Sequence, residues 1–424
     1  MHCRTVSTLC TLALLLAGAP QHALAHGGGP ETRSIAVRPG QPADLLVNST
    51  FGLMVSHDAG ASWGWVCQQA LGTGGFVPRG VQWTGSGRLL AITGPSLVVS
   101  PDGGCSWSRH PELESAAQGA LDLAVAPRAP ETVYVLSADG VRRSTDGAQT
   151  FERFAPLPPG LTLSSLELAP SDAARVYAAG LQVETGTGRS VPALWRSQDG
   201  GGSWDVVLPD FGSLGEVSDL SLLGVSPADP ALLYARAVRG PDELLLRSAD
   251  GGRSFQRPLT LSEAIEGIEI SPDGRTVWLG SFSYLYRSTD GGLTFTQLVE
   301  PTVNACARLD GSRLLACGSE PTHGWSLGFS TDAGQSWTAL FRLAQLQQVA
   351  QCPASSPTAQ VCGPLMAGLR NALSPPGSDN APPTPPPAPK DGCAAGGGAL
   401  APGLGLLLCA ALRRARNRAR PRVV

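Results

Sequence analysis

The chain has little charge and almost no lysine. Only 15% of its 424 residues are charged, and Lys390 is the single lysine among 31 basic residues. This composition excludes a helical bundle or a coiled coil, which need a high density of Ala, Glu, Lys and Leu. The net charge of -3 gives no indication of nucleic-acid binding.

Glycine and proline, by contrast, are abundant. The chain has 52 Gly and 36 Pro, about 21% of its residues, while 42% are hydrophobic. Turn-forming residues that separate Leu-rich and β-branched runs are typical of many short strands. Because Pro plus Gly stays below the roughly 25–30% of low-complexity chains, we expect a folded, strand-rich protein.

Residues 1–25 have the pattern of a signal peptide. Arg4 precedes an apolar run from Leu9 to Ala19, and Ala23-Leu24-Ala25 forms a small-residue cleavage site. The apolar run is too short to cross a membrane comfortably. We therefore expect an exported protein whose mature chain begins at His26.

The C-terminal region has three successive parts. Residues 374–390 hold 8 of the 36 prolines and predict an extended spacer. Residues 394–412 carry no charge and are just long enough to span a membrane, and an arginine cluster follows over 413–422. One interpretation is a single-pass anchor whose arginines stay on the cytoplasmic side.

The order of spacer, Gly392-Cys393, apolar segment and arginine cluster resembles the MYXO-CTERM sorting tail. The resemblance implies that Cys393 is the processing and lipid-attachment site of a cell-surface protein. Loss of Arg4 and the six tail arginines lowers the basic residues from 31 to 24 against 34 acidic ones, a net charge of about -10. We expect contact with the export and sorting machinery, with the membrane only through this tail, and with no nucleic acid.

Six cysteines lie between the two ends: Cys67, Cys105, Cys306, Cys317, Cys352 and Cys362. An even number in an exported domain favours disulfides. Cys306 and Cys317 oppose one another if Gly311-Ser312 is a hairpin tip, and Cys352 with Cys362 closes a short loop. Elimination leaves Cys67 with Cys105, a pairing that stays open here. The spacings match no zinc pattern, so we expect no metal and no other cofactor.

One octapeptide pattern, Ser-x-Asp-x-Gly-x-Ser/Thr-Trp/Phe, occurs seven times, with Ala148 replacing the glycine in the third copy. The start-to-start spacing is 40 to 53 residues. The pattern is that of the Asp-box, or BNR repeat. Its aspartates are Asp58, Asp102, Asp146, Asp199, Asp250, Asp290 and Asp332.

The residue three positions before each octapeptide serine is always apolar, as an inward-facing strand position requires. These residues are Leu53, Leu97, Val141, Leu194, Leu245, Leu285 and Leu327. Two apolar runs joined by a turn precede them, so each unit predicts four strands, A to D, with the octapeptide between C and D. Four strands per 40–53 residues predict an all-β fold, a single seven-bladed propeller over residues 31–350, followed by an extension over 351–373.

The repeat arrangement resembles the BNR/sortilin-like propeller superfamily, in which the octapeptide lies at the rim, away from the ligand face. The residue types agree with a structural role, because Asp accepts backbone N–H bonds in tight turns and Gly tolerates positive φ. We interpret the seven aspartates as structural. The residues that precede four successive octapeptides are Arg143, Arg196, Arg247 and Arg287. We expect them to lie over neighbouring aromatic rings, and the alternative is a shared anion site.

Function is expected in the B–C connections, which are extended in blades 4, 5 and 7, over residues 180–195, 236–246 and 318–328. Loops that vary on a regular scaffold are where function is usually found. His323 with Trp325 would suit a sugar or peptide contact; the alternative is that these loops only cover the sheet ends. The candidate ligand-binding residues are Glu184, Arg189, Arg239, Asp242, Glu243, His323 and Trp325.

The favoured hypothesis is a monomeric, surface-anchored, non-catalytic module that binds a glycan or protein ligand. A role in envelope assembly is a further possibility. The alternative is a glycosidase, because sialidases and some endoglucanases use Asp-box propellers. The sequence singles out no carboxylate pair, and all five tyrosines fall at strand positions, with Tyr284 and Tyr286 on strand C of blade 6. A carboxylate cluster with a Tyr or Arg neighbour in the channel would argue against the non-catalytic interpretation.

Replacing Cys393 with serine is expected to release the protein from the cell surface, because the thiol is the proposed attachment atom. Immunoblotting of cell and medium fractions measures the release. Cys409→Ser, in the apolar part of the same tail, is the matched control and should remain attached. A Cys393→Ser variant that stays on the surface as firmly as the wild type would contradict the anchoring hypothesis.

Overall fold

The computed structural model describes residues 30–72, 77–114, 119–298 and 306–373, apart from the side chains of residues 154 and 155. The predicted signal peptide, the Pro-rich spacer, the apolar segment over 394–412 and Cys393 lie outside these residues. No helix in the described part of the chain is both long and apolar enough to cross a membrane.

Seven four-stranded antiparallel sheets follow one another along the chain, and each is a simple meander. Blade 1 comprises β1 (Thr32–Arg38), β2 (Gln41–Ser49), β3 (Gly52–Ser56) and β4 (Gly64–Cys67). Blade 2 comprises β5 (Arg79–Trp83), β6 (Leu89–Thr93), β7 (Ser96–Ser100) and β8 (Ser108–Arg109). Blade 3 comprises β9 (Ala120–Val125), β10 (Val133–Ser137), β11 (Gly140–Ser144) and β12 (Glu152–Pro156).

The remaining blades repeat this order. Blade 4 comprises β13 (Leu161–Leu168), β14 (Val176–Val183), β15 (Ser190–Ser197) and β16 (Asp205–Val207). Blade 5 comprises β17 (Asp219–Val225), β18 (Leu233–Arg239), β19 (Asp242–Ser248) and β20 (Gln256–Leu261). Blade 6 comprises β21 (Ile265–Ile270), β22 (Val277–Ser281), β23 (Leu285–Ser288) and β24 (Thr296–Gln297). Blade 7 comprises β25 (Ala307–Leu309), β26 (Leu314–Cys317), β27 (Leu327–Ser330) and β28 (Thr338–Phe341).

The helices in the described residues are short; α2 lies in the B–C connection of blade 7, and the others lie between or after the sheets. The α-helices are α1 (Gln68–Leu71), α2 (Glu320–His323), α3 (Pro357–Cys362) and α4 (Met366–Leu373). The 3-10 helices are Pro111–Leu113, Gly212–Leu214, Leu343–Gln345 and Gly363–Leu365. A last strand, β29 (Gln348–Val349), pairs in parallel with β4.

The first strands of the blades form a closed ring. Each first strand contacts that of the next blade, and β25 contacts β1. Leu45 and Trp65 of blade 1 share a buried cluster with Leu315 and Phe341 of blade 7, so the last blade packs on the first. The predicted all-β, seven-bladed propeller of four-stranded blades is confirmed.

The register of the strands fixes which turns share a face. Val37 is paired with Leu45, and Leu45 with Ser56. The A–B turns and the octapeptides therefore lie at the same end of the blades. The B–C connections lie at the opposite end, which we call the B–C face.

Every octapeptide is folded by the same side-chain hydrogen bonds. In the first copy, the Ser56 hydroxyl donates to Asp58 Oδ1 at 2.8 Å, and the Ser62 N–H and hydroxyl donate to the same carboxylate at 2.8 and 2.6 Å. The other six aspartates have the equivalent three bonds. The fourth and fifth residues of each copy have positive φ, even where they are Ala59, Ala148 and Ala333.

The octapeptides also join neighbouring blades. The arginines that were expected over aromatic rings donate to the carbonyl oxygen of the fourth octapeptide residue in the next blade. These bonds are Arg143 to Gly200 (3.4 Å), Arg196 to Gly251 (3.2 Å), Arg247 to Gly291 (2.8 Å) and Arg287 to Ala333 (3.2 Å). The Tyr134 and Tyr234 hydroxyls donate to two of the same carbonyls, so polar tips of buried aromatics reinforce the contact.

The predicted Cys306–Cys317 disulfide is confirmed, but the other two pairings are wrong. The structure pairs Cys67 with Cys362 and Cys105 with Cys352. The reason is that β29 carries the chain back along the outer edge of blade 1. Cys352 then bonds to Cys105 in the second octapeptide, and helix α3, which ends at Cys362, brings that cysteine to the end of β4.

We call residues 343–373 the C-terminal strap, because they cover blades 1 and 2 and are fixed by two disulfides. The Cys67–Cys362 bond spans 295 residues of sequence, whereas Cys306–Cys317 spans 11. Since loop-closure entropy grows with the length of the closed loop, the longer disulfide should contribute more stability.

Replacing both Cys67 and Cys362 with alanine is expected to lower the free energy of unfolding by about 4 kcal/mol, because with Cys105–Cys352 intact this bond closes a loop of roughly 50 residues. The matched Cys306/Cys317 double variant should lose about 3 kcal/mol. Denaturant unfolding of the oxidised proteins measures both values. An equal or smaller loss for the Cys67/Cys362 variant would mean that the strap does not hold the ring closed.

Candidate functional site

The extended B–C connections that the sequence predicts are present in blades 4 and 7, but the prediction is wrong for blade 5. In blade 4 a six-residue loop, 184–189, follows β14. In blade 5 the strands themselves are long and only residues 240–241 join them. In blade 7 residues 318–326 include helix α2.

A cleft of about 270 Å³ lies beside the blade 4 loop. Arg189 is bonded to Glu216 and lies 3.5 Å from Glu184 Oε2, so one guanidinium joins two carboxylates. Leu208 and Phe211 form an apolar wall of the same cleft. Arg189 and Leu208 are each 56% exposed, so a ligand can reach both the polar and the apolar side.

Most of the candidate residues of blade 5 form hydrogen bonds or ion pairs within the propeller. Glu243 Oε2 accepts the Ile265 N–H at 2.7 Å, and this bond joins blade 5 to blade 6. Glu243 Oε1 lies 3.5 Å from Arg236 of its own blade. Arg239 donates to the Leu214 carbonyl at 3.4 Å, and Asp242 is its register partner at the hairpin tip. Only Arg239 therefore extends toward the segment that borders the blade 4 cleft.

Trp325 is a core residue. It is 5% exposed, lies 6.0 Å from the Trp337 ring, and packs against the backbone of Gly318 and Gly328. The His323 ring lies 5.2 Å from it, and His323 Nδ1 accepts the Ser319 N–H at 2.9 Å, closing the turn of α2. Trp325 thus contributes to the packing beneath the blade 7 loop, and its role in a sugar or peptide contact stays a prediction.

Two exposed aromatics on the B–C face were missed. Tyr284 does not lie on strand C, as predicted, but in the connection between β22 and β23, next to Phe282. Phe282 is 49% and Tyr284 37% exposed. The blade 6 connection has three residues, one more than the two-residue tips of blades 1, 2 and 3. This difference in length is the sequence signal that marks the tip.

The central channel holds a second group of polar residues that the sequence did not indicate. A cavity of about 440 Å³ is lined by the first strands of blades 2 to 7 and by A–B turn residues such as Pro127 and Pro170, so it opens on the octapeptide face. Its wall carries Asp122, Glu167 and Glu269, with Arg308.

The channel carboxylates differ in their partners. Asp122 accepts the backbone N–H groups of Leu123 and Leu166 at 2.9 and 2.8 Å. Glu269 accepts the Leu309 N–H at 3.2 Å and lies 3.4 Å from Arg308 Nη1. Both therefore join the first strand of one blade to that of the next, whereas the carboxyl of Glu167 faces the cavity.

Burial in the channel raises the pKa values of these acidic side chains. Burial raises the pKa of Asp122 to about 6, against the opposing effect of its backbone N–H donors. Burial and the nearby Asp122 charge raise the pKa of Glu167 to about 8, although its side chain borders the channel, because protein surrounds the lumen on all sides. Glu167 is thus a protonated carboxylic acid at neutral pH. The sequence signal was its position three residues before the A–B proline, where the neighbouring blades 3 and 5 have Ala124 and Gly224 and blade 6 has Glu269.

The octapeptide aspartates behave in the opposite way. Hydrogen bonds from the Ser203 hydroxyl and N–H, followed by Ser197, lower the pKa of Asp199 to about 2. The pKa values of the other six octapeptide aspartates are also lowered, so these carboxylates are ionised acceptors for the hydrogen bonds of their own turns. Within the described ranges, no group of three or more His, Cys, Asp or Glu side chains has the arrangement to hold a metal ion.

No family model matches the chain. The xyloglucanase of Hypocrea jecorina (strain QM6a) is 33% identical over 116 residues, which are 27% of this chain and 13% of that protein. The chain therefore aligns with only a small part of the length of this curated relative.

Several solved structures align with this chain over most of its length. The GH74 xyloglucanase from Xanthomonas campestris aligns with a TM-score of 0.45 and 16% identity, over 72% of this chain and 60% of that one. YCF48 from Cyanidioschyzon merolae gives 0.47 and 16%, over 69% and 93%. Hydrazine synthase from Kuenenia stuttgartiensis gives 0.49 and 12%, over 75% and 100%. At these identities and TM-scores the likenesses carry no functional argument.

Replacing Glu167 with glutamine is expected to flatten the pH dependence of stability. The folded-state pKa of about 8 lies above the unfolded value of about 4.3, so Glu167 favours folding at low pH and this contribution is lost as the pH rises through 8. The variant should therefore gain stability relative to the wild type at pH 8–9 and match it near pH 4. Because Asp122 titrates at about 6, the difference is clearest above pH 6.

Denaturant unfolding at a series of pH values measures this effect. Glu152→Gln, which removes a carboxylate from the exposed edge of blade 3, is the matched control. If Glu167→Gln and the wild type lose stability in parallel above pH 6, the raised pKa is refuted.

Proposed function

We propose that this chain is an exported, surface-anchored propeller of the Asp-box type that acts as a non-catalytic binding module through its B–C face. The observation that carries the proposal is the blade 4 cleft. There Arg189, held between Glu184 and Glu216, lies opposite the exposed Leu208. Hydrogen-bonding groups on one side and an apolar wall on the other suit a ligand that is polar at its edges and apolar on one face.

Three disulfides are compatible with an exported protein, because such bonds persist in oxidising compartments. The signal peptide and the MYXO-CTERM-type tail complete this part of the proposal, with Cys393 as the attachment point. The export and sorting machinery and a surface ligand are the partners that we propose, and the propeller acts as a monomer.

A glycan is the favoured ligand. The local similarity to a xyloglucanase over 116 residues supports a carbohydrate over a protein, and the acidic mature chain repels anionic polymers. Sugars also present the combination of hydroxyl edges and C–H faces that the cleft accommodates.

Glycoside hydrolysis in the channel is the second candidate function. The three channel carboxyl groups beside Arg308 favour it, because a carboxylate cluster with an arginine neighbour in the channel is the feature expected to argue against a non-catalytic role. A protonated Glu167 has the state that a general acid requires. Two features favour binding instead. Asp122 and Glu269 are already hydrogen-bonded within the channel wall, and the cavity of about 440 Å³ is a narrow well that leaves little room for a polymer to cross.

Replacing Arg189 with alanine is expected to weaken glycan binding by about tenfold or more, because both flanking carboxylates lose their partner. A glycan array followed by calorimetric titration of the purified protein measures the affinity. Arg153→Ala, an exposed and ion-paired arginine of blade 3, is the control and should bind as the wild type does.

The same glycans are assayed for the release of new reducing ends. Binding without hydrolysis supports the proposal. Hydrolysis that is abolished by Glu167→Gln would replace it with the glycosidase function. If the wild type binds no glycan and instead captures a protein ligand through Arg189, the binding module stands but the carbohydrate assignment fails.

A further inference from the structure

The exposed apolar side chains of the described residues are nearly all aliphatic. Phe282 and Tyr284 are the two aromatic members of this set, and they are separated by a single residue. Both belong to the B–C connection of blade 6, on the same face as the blade 4 cleft. A pair of aromatic rings left open to solvent at one tip of an otherwise well-packed propeller calls for a ligand.

The tip that carries the rings is held from both sides. The Ser281 N–H donates to the Tyr284 carbonyl at 2.8 Å, and the Tyr284 N–H donates to Ser281 Oγ at 3.0 Å. The Phe282 N–H donates to the Ala264 carbonyl at 2.9 Å, which ties the tip to the segment entering the first strand of blade 6. The rings are thus presented by a fixed backbone, which reduces the entropy lost on binding.

The Tyr284 ring also rests on the core. It meets Tyr286 edge to face, with 6.4 Å between ring centroids, and Tyr286 is buried in the cluster that contains Leu245 and Leu279. Tyr286 supports Tyr284 from the protein side, while the rest of the Tyr284 ring remains open. Beside it, the partly exposed Glu263 accepts a hydrogen bond from the Ser281 hydroxyl through one carboxylate oxygen.

The size and charge of this tip select the ligand. Aromatic side chains have about 150–250 Å² each to bury, and only a fraction of that is open here. The available area is far below the roughly 800 Å² per partner of a stable protein interface. A neutral ligand with flat C–H faces and peripheral hydroxyl donors matches two rings beside one carboxylate, because the negative face of a ring attracts C–H groups.

We infer that Phe282 and Tyr284 form a stacking platform for pyranose rings of a neutral glycan, with Glu263 as a hydroxyl acceptor at its edge. The inference rests on the proposed binding function and adds a second contact to it. The B–C tip of blade 5 lies between the blade 4 cleft and this platform, so a glycan chain of several residues would pass over it.

The test compares variants of the purified full chain by calorimetric titration with neutral β-glucan and xyloglucan oligosaccharides of increasing length. Phe282→Ala and Tyr284→Ala should each weaken binding by about tenfold, and Tyr284→Phe should retain most of the affinity because the ring face persists. Leu293→Ala is the matched control, since Leu293 is a 50% exposed apolar residue of the same blade on the octapeptide face. Thermal unfolding confirms that each variant is folded.

The outcomes separate the platform from the proposed function. Loss of affinity in the two alanine variants, growing with oligosaccharide length, supports the platform. Wild-type affinity in both alanine variants, together with loss in Arg189→Ala, overturns the platform and leaves the binding function intact. If the wild type binds none of these oligosaccharides, or if Leu293→Ala weakens binding equally, the inference is also overturned.

Discussion

The hydrogen bonds of the octapeptide aspartates are the interaction on which the rest of the fold depends. Each carboxylate accepts two hydroxyls and one N–H across its own turn, and this holds two successive residues in the left-handed region. That backbone conformation in turn directs the fourth-residue carbonyl outward, where Arg or Tyr from the preceding blade donates to it. One local motif therefore shapes the turn and also supplies the contact by which a blade recognises its neighbour.

The B–C face can vary in sequence because the octapeptides on the other face supply the turns and the contacts between blades. The tips of blades 4, 6 and 7 differ in length and composition without any change in the pairing of their strands. The blade 4 cleft and the blade 6 aromatic pair both arise from such differences. A small number of residues added at a tip is enough to create a binding feature on a scaffold that does not need to adjust.

Much of the architecture was predictable because it depends on local sequence patterns that repeat along the chain. The seven octapeptides and the apolar residue three positions before each one determined blade number, strand order and burial; Leu53 and Leu285, for example, are fully buried. The pairing of Cys67 with Cys362 was not predictable, since it depends on where a non-repeating segment returns in space. The burial of Trp325 was not predictable, because a loop position in sequence does not reveal that two glycines make room for an indole beneath the loop. Glu167 was missed because its position is occupied by small residues in neighbouring blades, so its importance appears only when the strands are arranged as a ring.

The parallel pairing of β29 with β4 has a consequence for how the molecule is made. Nearly the whole propeller sequence lies between β4 and β29. The outer edge of blade 1 therefore stays unpaired until the last part of the domain has been synthesised. An unpaired strand edge is a template for association with other chains. The time between the appearance of the first blade and the arrival of the strap is therefore the interval in which this protein is most exposed to aggregation, and its length is set by the number of blades rather than by the stability of any one of them.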